Sequence, residues 1–347
     1  KLFAATQAAQ ENIFGILKDE KLACDFTNCH AYYGSYVRGD ETLKKELLAL
    51  QSGGIGVNEV REKSDRIPFV EAVQFAEEGK WNVRKFLFAL LQTEIGKKIQ
   101  VFEETEATEL IVAERVAVKT ATGAAVGKKV VVAIGNPAAL MGETRDLVSE
   151  KITYVMAARF VRAPAGGDVY WDTGDPYFYY RMIDDRTLIV GGCDIEATKT
   201  SEQKPYEKLR AFVTERFGKD FEVTNEWAGS IFHTADGLPY VFAHPHYAQK
   251  VFVATGFGGN GMIGSILASD ILSAYCQGQT HAGAELFRLE RTRAKVGVPQ
   301  PKQPKATGVK QFVFVGTTSE FAKTASACKT VNGHRIALFK IREKYYA

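Results

Sequence analysis

Residues 251–264 read VFVATGFGGNGMIG and run directly into SILASDILSAYC. A β-type run, a glycine loop and an apolar helix-type run in that order leave the backbone few options. The chain must leave a strand, turn at the glycines and enter a helix whose first amides have no partner within the helix. Gly256, Gly258, Gly259 and Gly261 permit positive φ and let a ligand approach the main chain. The free first-turn N–H groups and the positive end of the helix dipole then favour an anion or an electron-rich group. The plain alternative is a tight turn packed on the core.

Gly259, Gly261 and Gly264 also spell GxGxxG. A dinucleotide fold that opens on this motif needs a second strand, with an acidic residue about 20 positions on. Here QGQTHAGAELFRLERTR follows the helix and offers no β-type run. The loop is therefore not a first βα unit, and an NAD(P)-dependent dehydrogenase, which needs the whole unit, is set aside.

The 347 residues are long enough for two ordinary domains and a small appendage. With 46% hydrophobic and 24% charged residues the chain is globular in composition. Its net charge is only +3 and its basic residues are dispersed, which argues against nucleic acid as a partner. No apolar run approaches the roughly 18 residues of a membrane span. The cleanest run, VVVAI at 130–134, reads as a buried strand. Five scattered cysteines fit a reducing compartment, read as cytoplasmic. CDFTNCH at 24–30 has one cysteine pair and no second cluster downstream, so no metal site is expected.

Apolar periodicity predicts helices over 2–22, 40–50 with Asp40 as N-cap, 82–98 capped by Asn82 and stopped near Gly96, and 201–218. β-type segments are predicted over 30–38, 99–112, 115–123 and 128–137, then densely from 152 to 190. Residues 223–242 read as an irregular strand and turn. Residues 296–310, with Pro299, Pro301 and Pro304, read as an extended linker, and the end of the chain as three short strands.

ATGFGGNGMIGSILASDIL resembles the C-terminal flavin-binding segment of the D-amino-acid-oxidase-like FAD oxidoreductases, the group of glycine oxidase and sarcosine oxidase. KKVVVAIGNPAAL is similar to the strand that rejoins that family's FAD domain. WNVRKFLFALLQTEIGKKIQVFEETEATEL is similar to its helix plus the strand that passes the adenine. WAGSIFHTADGLPYVF is similar to its segment before the last strand. WDTGDPYFYYR and LIVGGCD are similar to a subgroup whose FAD module precedes a Rieske domain, with Cys193 where the subgroup carries an acid. A covalent flavin link through Cys193 is one option that residue type opens.

The resemblance implies an α/β fold: a Rossmann-like FAD-binding domain interleaved with a substrate domain on a mixed or antiparallel sheet. The FAD portion is expected over 1–30, 95–150 and 235–295, and the substrate portion over 31–94 and 151–234. Residues 311–347 are expected to form a partial Rieske-like β segment. It implies FAD as cofactor, held by Thr255, Gly256, Phe257, Gly258, Gly259, Asn260, Gly261 and Met262, with Ala107 and Gly135 along the nucleotide. A positive helix end there stabilises charge on the redox ring. The implied reaction is oxidation of a C–N bond in an amine or amino-acid-like small molecule, by hydride transfer to flavin N5. The implied electron acceptor is oxygen or, in an intact subgroup member, an iron–sulfur centre.

Three departures qualify this. The family's N-terminal βαβ unit, which holds the ADP half of FAD, has no counterpart in these residues. Either a piece precedes Lys1, or the chain is a non-catalytic, scaffold-like relative. Where the family has a carboxylate-clamping arginine between Trp227 and Thr234, this chain has Ile231. Arg181, beside Tyr177 and Tyr179, is a substitute clamp unless it pairs with Asp184 or Asp185. Finally, Cys328 and His334 alone cannot supply the four ligands of a [2Fe–2S] cluster. His233, ahead of the Asp236–Gly237 turn and near His244 and His246, is the histidine best placed to face substrate. Trp171, Tyr177, Phe178 and Tyr179 are expected either to wall an apolar pocket or simply to pack the sheet. No catalytic base is assigned.

Overall fold

The computed structural model describes residues 2–64, 67–144, 146–162, 164–199, 204–291, 326–331, 334–341 and 344–346. It opens with α1 (Leu2–Asp19), β1 (Thr27–Ser35), α2 (Glu41–Ser52), β2 (Asn58–Val60), β3 (Glu71–Lys80) and α3 (Val83–Gln92). A small meander follows: β4 (Glu109–Val112), β5 (Val116–Lys119) and β6 (Ala124–Gly127), then β7 (Val130–Ala133). Next come β8 (Ser149–Phe160), β9 (Val169–Asp172), β10 (Phe178–Met182), β11 (Thr187–Glu196), α4 (Pro205–Phe217) and β12 (Phe221–His233). β13 (Tyr240–Ala243), β14 (Val251–Thr255), α5 (Gly261–Cys276) and α6 (Ala284–Phe287) complete the first contact unit, Lys1–Gly297.

The caps behave as their chemistry demands. The Asp40 carboxylate accepts the amides of Thr42 and Leu43, and Asn82 accepts that of Lys85, each satisfying donors that the helix start leaves open. α1 buries Ala9, Ile13 and Leu17, one stripe at helical spacing.

Two sheets organise the unit. The larger runs β12-β8-β11-β10-β9-β1-β3-β2 and is antiparallel except where β1 lies parallel to β9. Its two faces carry different rings. Cross-strand neighbours Tyr32, Tyr170 and Tyr180 stack at 5.4 and 5.0 Å and pack with Phe212 and Leu209 of α4 in the main core. One residue along each strand, Tyr33 stacks on Trp171 at 5.8 Å, and Phe75 stacks on the same indole at 5.8 Å. Those rings belong to the opposite face, as strand alternation requires.

The smaller sheet, β13-β14-β7, has β7 parallel to β14. Phe252 and Ala254 meet Ala9 of α1 and Leu267 and Ile271 of α5 on one side. On the other, Val251 and Val253 meet Val132 and Phe242. Burial on both faces explains why VFVAT is apolar at every position but its last. β4-β5-β6 form their own antiparallel sheet.

The second unit, Val298–Ala347, shows an antiparallel meander of β15 (Ser326–Val331), β16 (His334–Ile341) and β17 (Lys344–Tyr346); of the stretch read as three short strands, residues 311–325 lie outside the described residues. The predicted linker, 296–310, lies outside the described residues.

Two expectations are corrected, and two further segments take definite form. Residues 99–108 are not a strand. Ile99, Val101 and Phe102 are 58%, 56% and 69% exposed, and an apolar run without a neighbouring strand has no ladder to join. VVVAI is not a buried strand: only Val132 is buried, and Val131 and Ile134 are exposed along the open edge of β7. The stretch 223–242 resolves into the long edge strand β12, with a register shift between Val223 and Asn225, a turn, and β13. β2 and β3, unassigned from sequence, supply the far edge of the large sheet.

Candidate functional site

The glycine loop is built by its neighbours. Gly256 and Gly258 take φ of +75° and +53°, the left-handed region that favours glycine. A Cβ on Gly256 would lie 2.4 Å from Thr234 Cγ2, and one on Gly264 would lie 2.5 Å from the Phe257 ring. The Gly258 amide donates to the Phe232 carbonyl at 2.9 Å, and Thr255 Oγ1 donates to the Gly135 carbonyl at 2.6 Å. The loop is thereby fixed to both β12 and the end of β7. Gly259 and Gly261, by contrast, face open space. Asn260 makes no side-chain cap, so the first amides of α5 are not closed off by it.

A cleft lies beside that helix start. One cavity of about 340 Å³ is lined by Met262 and Ile263 of α5, Phe14 of α1, Phe75 and Glu78 of β3, and Trp81. A second, of about 930 Å³, shares Phe75 and Glu78 and adds Cys29, His30 and Asp168. Small-molecule and cofactor sites span about 300–1,000 Å³ and are mostly apolar with a few polar groups, so both are of that size class. For the redox ring of FAD the residues fit: an uncapped helix end, open glycines and an apolar cleft. Gly135 stands at the exposed end of β7, its inner side filled by Phe232, while Ala107 is in the coil before β4, in a different sheet neighbourhood.

The other sequence candidates separate. Tyr177 Oη donates to Asp194 Oδ2 at 2.9 Å, so that hydroxyl is already engaged. Tyr179 lies across Gly191, where a Cβ would come 2.3 Å from its ring, and its hydroxyl stands 3.5 Å from Thr153 Oγ1. Phe178 goes to the other face and stacks on Phe212 at 4.3 Å, so the aromatic set does not form one wall.

Arg181 is half-buried, and burial lowers its guanidinium below the usual value, opposed by the neighbouring Cys29. Asp184 instead accepts the amides of Arg186 and Thr187 at 2.8 and 2.7 Å, and Asp185 faces Arg186. Among the described residues Arg181 has no ion pair with either acid.

His233 sits at the end of β12, with its ring against Gly258 and Nε2 buried without a hydrogen-bond partner among the described residues. His244 is buried in the β13–β14 connection, where Nδ1 accepts the His246 amide at 3.2 Å. Asp236 forms a paired fork with Arg291 at 2.9 and 3.1 Å, and that guanidinium lies 3.9 Å over the Tyr240 ring. The Asp236 turn is thus a structural clamp under the glycine loop. Cys193 is buried at φ +54°, and burial pushes its thiol up to about 11 beside Lys208 of α4; it lines neither cavity.

Sequence reasoning missed Phe75, Glu78 and Trp81. EAVQFAEEGKW shows an acidic pair interrupting an apolar strand just ahead of a helix cap, but not which way either carboxylate points.

The family described as FAD dependent oxidoreductase (DAO) matches residues 1–275. A Bacillus subtilis (strain 168) protein named as a Rieske 2Fe-2S iron-sulfur protein, YhfW, is 22% identical over 306 residues. That match covers 85% of this chain but 59% of the relative, so the chain spans well under two thirds of its length. Among solved structures, glycine oxidase from Geobacillus kaustophilus aligns with a TM-score of 0.72 at 18% identity, over 84% of this chain and 83% of that one. L-proline dehydrogenase from P. horikoshii gives 0.71 at 15%, over 84% and 83%. Iminodiacetate oxidase from Chelativorans sp. BNC1 gives 0.67 at 14%, over 82% and 83%. At these identities the likeness is one of fold.

Proposed function

The chain belongs to the DAO family of FAD dependent oxidoreductases, and we propose that it oxidises a C–N bond of an amine or amino-acid-like small molecule. The observation that carries this reading is the open, uncapped start of α5 beside an apolar cleft of about 340 Å³. Bound there, FAD would supply the two-electron acceptor.

The chain's own residues would do the rest. The amides of Gly261, Met262 and Ile263 present a fixed positive pole to charge developing on the ring, without reorganisation. Gly256 and Gly258 hold that pole in place. Phe75, Trp81 and Met262 exclude water from the reacting carbon. Arg181, half-buried and without an acidic partner among the described residues, is suited to a substrate carboxylate, in place of the missing arginine at Ile231. The ADP half of FAD calls for further strand structure, and the exposed edge of β7 is where a parallel strand would add.

The visible spectrum of the purified full-length protein tests this. Flavin absorption bands that bleach on anaerobic addition of an amine or amino acid are expected. A colourless protein that takes up no added FAD would favour a non-catalytic scaffold. For a carboxylate-bearing substrate, Arg181→Gln is expected to raise KM about tenfold or more, the scale of one lost charged hydrogen bond. An unchanged KM would remove Arg181 from the site.

A further inference from the structure

Residues 75 and 78 lie three apart in a strand, a spacing that normally sends side chains to opposite faces. Yet Phe75 and Glu78 line the same two cavities. The pairing of β3 with β1 shows how. Cys29 stands opposite Glu78 and Ala31 opposite Phe75, so Ala76 and Glu77 together face the single residue His30. This is a β-bulge, the device by which a strand re-aims a side chain. Glu77 closes it at φ +62°, a left-handed conformation that a non-glycine residue holds only where its surroundings impose it. Gln10 of α1 locks the result: its Nε2 donates to the Glu77 carbonyl and to Glu78 Oε2, both at 3.2 Å.

The bulge delivers one carboxylate into an apolar chamber. Of the residues lining the cavity beside α5, Glu78 is the only charged one, set among Phe14, Phe75, Trp81 and Met262. It has no ion pair with any cation among the described residues. Burial alone raises its carboxyl above the usual range.

The charged and titratable groups around it are otherwise occupied or lie on the larger cavity. Lys80 turns its ammonium to the Gly167 carbonyl. Asp168 accepts the His30 amide at 2.9 Å and lies 3.7 Å from its Nδ1. Cys29, Glu11 and Glu77 line the larger cavity; Arg181, close enough to feel the Cys29 thiol, lines neither cavity. α5 offers only Met262 and Ile263, and α2 only Leu50.

A half-buried carboxylate without an ion-pair partner among the described residues, facing an apolar cavity, is completed by a cation with apolar substituents. We propose that Glu78 binds the substrate's ammonium group and takes its proton, so that the site selects alkylammonium substrates and delivers them as free amines. This rests on the amine-oxidising reading of the same cleft. In the step, one N–H bond of the ammonium breaks and an O–H bond forms at Oε1, the oxygen Gln10 leaves free. The electron pair stays on nitrogen, Glu78 becomes neutral, and nothing is oxidised. The proton leaves through the larger cavity, which Glu78 also lines.

The test is calorimetric titration of the full chain with n-propylammonium and with 1-propanol between pH 5 and pH 8, with the visible flavin spectrum recorded on each preparation. Ammonium affinity is expected to rise at least tenfold with pH in the native protein. In Glu78→Gln it should be at least tenfold weaker at pH 8 and flat with pH, while propanol binds both alike. Glu78→Asp, which keeps the charge but withdraws it, should bind several-fold more weakly with the pH dependence retained. His30→Gln, which removes the imidazole on the larger cavity, should leave the profile intact. Native-like ammonium binding in Glu78→Gln and Glu78→Asp, or a profile lost with His30→Gln, would overturn the assignment. Loss of the flavin bands in every preparation with the ammonium results as expected would sink the oxidase reading and leave the cation site standing.

Discussion

At the scale of single residues, the site depends on backbone conformations that only particular side chains allow. Gly256→Ala places a methyl 2.4 Å from Thr234 Cγ2 at φ +75°. It is expected to cost about 1–3 kcal/mol in denaturant unfolding; a cost below about 0.5 kcal/mol would show that the loop is not so tightly set. Glu78 carries a pH signature of its own. Its folded-state carboxyl is raised by burial, so its contribution to stability is fully present below the unfolded value and is lost as pH rises through the folded value. Glu78→Gln is therefore expected to melt at or above the native temperature at pH 8, with the difference vanishing below about pH 4. A variant that melts lower at pH 8 would mean that the carboxylate is paired in solution. The glycines were legible in sequence because few roles demand so many of them together. Glu78 was not, because its direction is set by a bulge that exists only once β3 is registered against β1.

Among elements, capping was readable and pairing was not. Asp40 caps α2 as its position predicts, but its Oδ2 also accepts Ser35 and Thr173 hydroxyls at 2.6 Å, which ties α2 to β1 and to the end of β9. Burial works against the charge on Asp40, yet these hydrogen bonds outweigh it and hold the carboxyl below the usual range. Its stabilisation is thus present above about pH 4 and lost as pH falls through the lower folded value. Asp40→Ala should cost about 1–2 kcal/mol at pH 7 and progressively less in acid, by urea unfolding across pH. A pH-independent difference would contradict the capping account. Residues 99–102 and 130–134 misled for one shared reason. Apolar β-type runs look buried in sequence, but burial is decided by whether a neighbouring strand or helix is there to cover them.

For the whole molecule, the α/β class and the mixed sheet came with the family resemblance, which was legible from the strand, glycine loop and helix in sequence. The division of strands between two sheets was not, since β14 finds β7 across more than a hundred residues and β1 finds β9 likewise. That arrangement sets α1, the start of α5 and the Phe75 face of the large sheet around one cleft. A ligand bound there stabilises the fold it bridges. FAD at about a hundredfold above its Kd should add roughly 2.7 kcal/mol, seen as a higher melting temperature; no shift at any FAD concentration would mean that this chain alone does not hold the cofactor.

The most direct measurement is a crystal structure of the full-length protein grown with FAD. The account predicts the ring's pyrimidine edge within about 3 Å of the amides of Met262 or Ile263, with Glu78 opening onto the same chamber. Density for the ring elsewhere, or a glycine turn that stays closed and empty while FAD binds at another place, would contradict it.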